Sequence, residues 1–427
     1  MLRVFSLGLS RASGECMEKE MRSLFMHVRW SSRLAMGAEM GVTGMDRLTL
    51  LAAALFAGVA ARADTTALQK AKKAKNDEFY TQYADIQAEV NAYLEYNPDT
   101  FRGKTVLLPC DDPEESNFTR FFAENFTRLG LKKLISTSYA PEAKKDKYGI
   151  DLFDWAAGRH LDPKHGRMMI LDHDVNGDGK INFEDLEWWY LKGDGDFRSD
   201  EVKMFRDAAD VIVTNPPFSM FREFLKWIVD ADKKFLIIGN MNAITYKEVF
   251  PLIKSNRMWL GATGFVSDMV FAVPKGANIK EADREKAARL GYVGDYTRLG
   301  NSCWFTNLEH GRRHQPLQLM TTARNVKYSR HKEVKGIGYR KYDNYDAIEV
   351  PFTDAIPCDH DGVMGVPISF LDKYCPEQFE ILGATESEGK GFSAGLWDSQ
   401  SGVAQPLITG KRIYKRIFIR RRKGSSK

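Results

Sequence analysis

The chain is poor in cysteine for its length. Its 427 residues hold five (Cys16, Cys110, Cys303, Cys358 and Cys375), an odd number without CxxC spacing. That pattern argues against a disulfide framework and carries no zinc signature, so no metal is expected and a reducing, cytoplasmic compartment is. Long apolar runs are also missing. Leu48–Ala60 is too short to cross a bilayer, and no membrane association is expected. No internal repeat is visible, which sets aside solenoids and propellers. Nor does one sign of charge dominate: the net charge of +5 says little by itself about partners.

Asp46-Arg47 precede the Leu48–Ala60 run, and Ala61-Arg62-Ala63 resembles a small-residue cleavage site. Read from Met45 this is signal-like. The competing reading is an extension produced by a translation start placed too far upstream. Residues 1–64 are therefore left as an unassigned extension.

What is present is enough chain for two or three domains, with an ordinary apolar content of 43%. Residues Asp85–Tyr96 carry Ile86, Val90, Tyr93 and Leu94 at helical spacing. Asn117–Leu129 does the same with Phe118, Phe121, Phe122 and Phe126. Phe221–Val229 and Ile244–Ile253 are further helical candidates. Thr105–Leu108, Lys133–Thr137, Val211–Thr214, Phe235–Ile238 and Ser302–Thr306 read as strands. Strands alternating with helices predict a parallel sheet covered on both faces. Ligands of such a sheet bind outside the carboxyl ends of its strands, where the loops after Leu108 and Thr214 lie.

The strongest local signal is Val211-Ile-Val-Thr-Asn-Pro-Pro-Phe218. A buried strand stops on Asn215 and two prolines, which fix φ and remove backbone donors, so the chain must leave the sheet as a stiff turn. Such a turn holds an amide side chain and the Pro216 carbonyl at a strand end, with Phe218 beside them. Two acceptors and an aromatic face suit a planar amino group: both N–H bonds are accepted, the nitrogen lone pair is freed for an electrophile, and the ring is stacked. The bland alternative is an ordinary strand-ending turn.

Two other segments stand out. Asp174-Val-Asn-Gly-Asp-Gly-Lys-Ile-Asn-Phe-Glu-Asp185 has the oxygen spacing of a calcium loop, with Asp where Glu closes the usual loop. The alternative is a Gly/Asp-rich turn. After about residue 310, tyrosines (Tyr328, Tyr339, Tyr342, Tyr345) alternate with Arg330, Lys332, Lys335, Arg340 and Lys341, a texture that suits nucleic acid or a plain β-rich subdomain. Lys411-Arg-Ile-Tyr-Lys-Arg-Ile-Phe-Ile-Arg-Arg-Arg-Lys423 is expected to touch phosphates, or else to be a solvated tail.

Asn215-Pro-Pro-Phe218 resembles the catalytic motif of adenine-N6 methyltransferases. Several more segments resemble the EcoRI-type adenine-specific DNA methyltransferases in particular. They are Lys75-Asn-Asp-Glu-Phe-Tyr-Thr-Gln82, Leu108-Pro-Cys-Asp-Asp-Pro-Glu114, Gly193-Asp-Gly-Asp-Phe-Arg-Ser199, Tyr342-Asp-Asn-Tyr-Asp-Ala347, Gly362-Val-Met-Gly-Val-Pro-Ile368 and Cys375-Pro-Glu-Gln-Phe-Glu-Ile-Leu-Gly383. The resemblance runs from about residue 68 to the C-terminus. It implies an α/β fold: a Rossmann-like, doubly wound methyltransferase sheet over residues 65–310, with a smaller mixed target-recognition region over 311–427.

It also implies S-adenosylmethionine as methyl donor and double-stranded DNA as substrate, a flipped adenine, a monomer, and a restriction endonuclease sharing the site. By position, Asn215, Pro216, Pro217 and Phe218 are the catalytic residues. Phe79, Tyr80, Thr81, Pro109, Cys110, Asp111, Asp112, Asp196 and Phe197 are the donor-binding ones. Three departures from the pattern of related methyltransferases are visible: Gln82 where Pro is frequent, no glycine-rich form in the Pro109–Asp112 turn, and no acidic residue for the ribose at the end of Ser136-Thr-Ser138. Two other readings remain beside this one. One is a protein amide-nitrogen (glutamine) methyltransferase using the same turn. The other is a secreted calcium-dependent interaction module built on the Asp174 loop.

Overall fold

The computed structural model describes residues 80–140, 164–266, 269–273, 279–385 and 405–422. Phe79, Lys423 and residues 1–64 lie outside them. The described chain opens with β1 (Tyr80–Thr81) and α1 (Tyr83–Tyr96), followed by β2 (Thr105–Leu108), α2 (Asn117–Glu124), the single turn α3 (Phe126–Leu129) and β3 (Lys133–Ser138). An antiparallel pair, β4 (Arg167–Leu171) and β5 (Glu187–Tyr190), precedes α4 (Asp200–Ala208) and β6 (Val211–Thr214). Then come α5 (Phe221–Asp230), β7 (Lys234–Asn240), α6 (Phe250–Lys254), β8 (Trp259–Leu260), β9 (Val270–Ala272), α7 (Glu281–Arg289), β10 (Tyr296–Arg298) and β11 (Ser302–Thr306). The remainder holds α8 (Thr322–Tyr328), β12 (Ile348–Glu349), β13 (Met364–Pro367), β14 (Phe379–Ala384), the small strands β15 (Leu407–Ile408) and β16 (Lys411–Arg412), and β17 (Arg416–Arg421).

Eight strands form the main sheet in the order β5-β4-β3-β2-β6-β7-β11-β8. The four in the middle, β3-β2-β6-β7, are parallel. Both flanks are antiparallel: β4 and β5 on one side, β11 and β8 on the other. The expected parallel sheet is thus its central half, and the sheet as a whole is mixed. All residues of β2 and β6 are buried, as strands covered on both faces must be. Phe118, Phe121, Phe122 and Phe126 pack together with Ile86, Val90 and Tyr93 of α1 against Val106, Leu108 and Leu134 of the sheet. Full burial of each such side chain contributes about 1.5–3 kcal/mol.

Two helices are shorter than their apolar pattern predicts. The run 117–129 breaks at Asn125, whose side-chain amide bonds the Phe121 carbonyl. The run 244–253 becomes a 3-10 turn, Met241–Thr245, and the short α6, with Pro251 in its first turn. Proline is tolerated there because the first N–H groups of a helix lack partners in any case.

A second sheet, β12-β13-β17-β14, lies in the C-terminal part. Residues Gln69–Lys427 form one compact unit. Within it, Arg312 bonds Asp372 at 2.6 Å, and Gln378 exchanges two bonds with the Leu317 backbone at 2.8 Å. Among the described residues no helix is long and apolar enough to cross a membrane.

Candidate active site at the carboxyl edge of the sheet

The Asn215 turn leaves β6 between the carboxyl ends of β2 and β7. Pro216 is buried, and Asn215, Pro217 and Phe218 are partly so. The Met220 N–H donates to the Pro217 carbonyl at 2.9 Å, closing a 3-10 turn that leads directly into α5. Phe218 packs against the apolar cluster formed by α1, α2 and the sheet. The strand end, its two prolines and the helix start therefore fix the Asn215 backbone from both sides.

The Pro109–Asp112 turn sits at the end of the adjacent strand, β2. Its backbone is tied to β3: the Asp111 N–H donates to the Thr137 carbonyl at 3.1 Å, and the Ser136 hydroxyl donates to the Asp111 carbonyl at 2.6 Å. This backbone bonding takes the place of a glycine-rich loop. The Asp111 carboxylate is buried and points between the strands. Its Oδ1 accepts the Ser116 hydroxyl at 2.7 Å and its Oδ2 the Thr214 hydroxyl at 2.6 Å. Burial pushes this carboxyl up to about 7, against the pull of those two hydroxyl bonds. Asp112 is clamped differently. Arg167, at the start of β4, donates to Asp112 at 2.5 Å and to Glu114 at 2.7 Å. Cys110 is a free, partly exposed thiol.

The N-terminal motif joins the same edge through α2. The Asn117 side chain, next to Ser116, donates to the Thr81 carbonyl at 2.8 Å. β1 itself is held by β9, with Thr81 opposite Phe271. Thr81 Oγ1 is buried with no partner among the described residues, and so is Ser138 Oγ at the end of β3. Buried hydroxyls are seldom left without a bond, so these two fit a polar ligand at the edge. Tyr80 is partly buried beside Thr81.

The Gly193–Asp196 loop packs onto the end of β3. A Cβ on Gly195 would fall 2.2 Å from the Ser138 carbonyl, and one on Gly166 would fall 2.7 Å from Gly195. Gly195 also has φ of +78°. Only glycine meets both demands. Tyr139, the residue after β3, has its phenol pKa raised by burial and by the nearby Asp194 and Asp196 carboxylates. Asp196 receives both the Nε and the Nη2 of Arg198, at 2.9 and 2.5 Å. Phe197 turns inward: it is 5% exposed and lies edge-on to Phe224 and Trp227 of α5, at 5.1 and 5.6 Å. The ring expected to face a donor is packed under the helix that follows the Asn215 turn.

The structure therefore brings Tyr80, Thr81, Pro109–Asp112, Asp196 and Asn215–Phe218 to one edge of the sheet. Sequence reasoning missed Ser116, Thr214 and Arg167, which hold that arrangement together. Ser116 carried a signal, a helix N-cap before an apolar run. Arg167 carried none, because its partners are more than fifty residues away.

The other sequence motifs fare differently. In the Asp174–Asp185 loop, Asp185 is buried and accepts the Val175, Asn176 and Asn182 N–H groups, so its carboxylate closes the turn. Burial alone would raise its pKa; these donors outweigh that and hold it below the usual range. Among the described residues no cluster of three or more His, Cys, Asp or Glu is arranged to hold a metal. Tyr342 and Tyr345 are core residues packed around Phe418. The basic segment is no tail: among its described residues, β17 runs inside the second sheet between β13 and β14, with Ile417, Phe418 and Ile419 buried. Arg416 is turned inward onto Glu349 at 2.6 Å. Arg420 is exposed.

The family model described as adenine-specific methyltransferase EcoRI matches residues 67–422. The type II methyltransferase M.EcoRI of Escherichia coli is 42% identical over 366 residues, covering 86% of this chain and 99% of that protein. M.MpnI of Mycoplasma pneumoniae is 33% identical over 359 residues, 83% of this chain and 97% of the relative. M.MgeORF184P of Mycoplasma genitalium is 32% identical over 364 residues, with 82% and 98% covered. No solved structure matches significantly. A match spanning both the main sheet and the C-terminal sheet, with relatives aligned over nearly their whole length, makes this chain a member of the EcoRI family of adenine-specific methyltransferases.

Proposed function

We propose that the chain transfers a methyl group from S-adenosylmethionine to N6 of an adenine within a defined sequence of duplex DNA. The observation that carries this reading is the junction of two turns. The Asn215 turn and the Pro109–Asp112 turn end adjacent parallel strands, and the Asp111 carboxylate joins them through Thr214. An amine acceptor site is thereby held beside a cluster of buried carboxylates and hydroxyls.

When bound, S-adenosylmethionine supplies an electrophilic sulfonium methyl group. The residues that would hold it are Thr81 and Ser138, with their unsatisfied buried hydroxyls, the carboxylates Asp111, Asp112 and Asp196, and the backbone of Pro109 and Cys110. Phe79 and Tyr80 complete the set by resemblance. Tyr139 and Ser138 stand where an acidic residue would bind ribose in related enzymes. Asn215 Oδ1 and the Pro216 carbonyl accept the two N–H bonds of the adenine amino group, and this frees its lone pair. Phe218 stacks on the base, and Pro217 keeps the turn rigid. Since the amino group is out of reach inside a duplex, the base is flipped out, at a cost of a few kcal/mol. Orientation supplies most of the rate.

Residues 65–310 form the catalytic part in this reading, and 311–427 select the sequence. A monomer acting on DNA in the cytoplasm, alongside a restriction endonuclease for the same site, completes the proposal. Duplex DNA incubated with the protein and labelled donor should acquire N6-methyladenine at one sequence, mapped by methylation-sensitive sequencing. Label appearing in protein glutamine instead, with DNA unmodified, would overturn it.

A further inference from the structure

We propose that Arg222, held over the Tyr246 ring, grips a phosphate of the strand carrying the target adenine at the mouth of the Asn215 turn; this rests on the reading above that the substrate is duplex DNA. Arg222 is the second residue of α5, four after Phe218, and it is exposed. Its guanidinium carbon lies 4.1 Å from the centre of the Tyr246 ring. Tyr246 follows the Met241–Thr245 turn at the end of β7. Since β7 neighbours β6 in parallel, the two side chains meet at the carboxyl edge of the sheet.

The surrounding charges leave this cation uncommitted. Glu223, next in α5, takes Arg198 at 3.2 Å, and Asp230 takes Lys226 at 2.6 Å. Among the described residues no carboxylate pairs with Arg222. An arginine stacked on an aromatic face has its plane fixed while its edge N–H donors remain free. Those donors form the planar fork that matches two phosphate oxygens. The first N–H groups of α5, a helix of 10 residues, add partial positive charge close by. Flipping a base swings its sugar-phosphate outward, and phosphate contacts fix the register of a protein on DNA. Arg222 is thus a substrate contact, and Tyr246 the positioning residue that aims it.

The test uses the full chain, a duplex carrying the mapped methylation site, and the same duplex with a neutral methylphosphonate at each phosphate flanking the target adenine. Arg222→Ala is expected to weaken binding about tenfold, the scale of one charge-assisted hydrogen-bonded contact. It should also flatten the salt dependence of log K by about 0.9. One methylphosphonate should weaken wild type by a similar factor and leave Arg222→Ala unaffected. Tyr246→Phe should bind like wild type and Tyr246→Ala like Arg222→Ala, with donor affinity unchanged in all. An Arg222→Ala protein with the wild-type salt slope and full sensitivity to every methylphosphonate would overturn the inference and leave the DNA reading intact. A wild type that methylates no duplex at all would overturn both.

Discussion

The Thr214 hydroxyl donates to Oδ2 of Asp111 across 2.6 Å, a bond between residues 103 apart in the chain. Thr214 is the last residue of β6 and immediately precedes Asn215. The turn that would orient an amine is therefore fastened through one carboxylate to the turn that would face the donor. Each end of the bond is buried, so little water competes for it.

That carboxylate should register in stability against pH. Burial holds the Asp111 pKa at about 7, against about 4 in an unfolded chain. Between those values the folded chain keeps a proton that the unfolded chain has lost. By linkage, this group's contribution to stability is full below about pH 4, falls as pH rises to about 7, and is level beyond. The melting temperature of wild type minus that of Asp111→Asn is expected to shrink across this window. A difference that does not vary with pH would show that Asp111 does not titrate there.

Asn215→Ala is expected to bind S-adenosylmethionine as wild type does while methyl transfer falls by orders of magnitude. The bonds that fasten the Asp111 turn come from Ser116, Ser136 and Thr214. Single-turnover rates with calorimetric donor binding check this. Transfer at the wild-type rate would remove Asn215 from the catalytic role.

At the neighbouring loop, Asp196→Ala is expected to raise the donor dissociation constant by a factor corresponding to ~1–3 kcal/mol, the cost of leaving a buried partner unsatisfied. Arg198→Ala should weaken it less, since it frees the carboxylate without removing it. Equal donor affinity in wild type and Asp196→Ala would mean that the loop serves only to pack against Ser138.

Two arginines of β17 should separate cleanly. Arg416 is half-buried against Glu349, which also receives the Tyr342 hydroxyl. Arg416→Ala strands that carboxylate and should destabilise the fold by about 3–5 kcal/mol. Arg420→Ala should leave the melting temperature alone and, if the strand touches phosphates, reduce the salt slope by about 0.9. Chemical denaturation and filter binding over a salt series measure the two effects. An Arg420→Ala protein with an unchanged slope would confine β17 to a structural role.

Much of the main sheet was legible because its signals are local. Apolar runs marked β2, β3, β6, β7 and β11, and phenylalanines at helical spacing marked α2. What escaped depends on distant partners. The β4–β5 pair, which flanks the Asp174–Asp185 loop, escaped; β4 is placed by its pairing with β3 and β5 by its pairing with β4. Basic residues alternating with aromatics after 310 read as a surface for nucleic acid, yet Tyr342 and Tyr345 are core. Aromatic rings bury large areas wherever a second sheet is there to receive them. Phe197 shows the same effect within the site. Its motif predicted a ligand face, and Phe224 and Trp227, one turn of α5 apart, claimed the ring.

The sheet order has a consequence for how the chain is made. β2 is central, with β3 on one side and β6 on the other, and Val106 and Leu107 pair with Val211 and Ile212. β3 follows β2 closely, but β6 emerges about a hundred residues later. At ribosomal speeds of about 5–20 residues per second, that is a delay of roughly 5–20 s. During it, β2 carries a largely apolar strand with one open edge, the kind that other chains pair with. Nascent chains halted between residues 140 and 210 should therefore be the ones that aggregate or recruit chaperones.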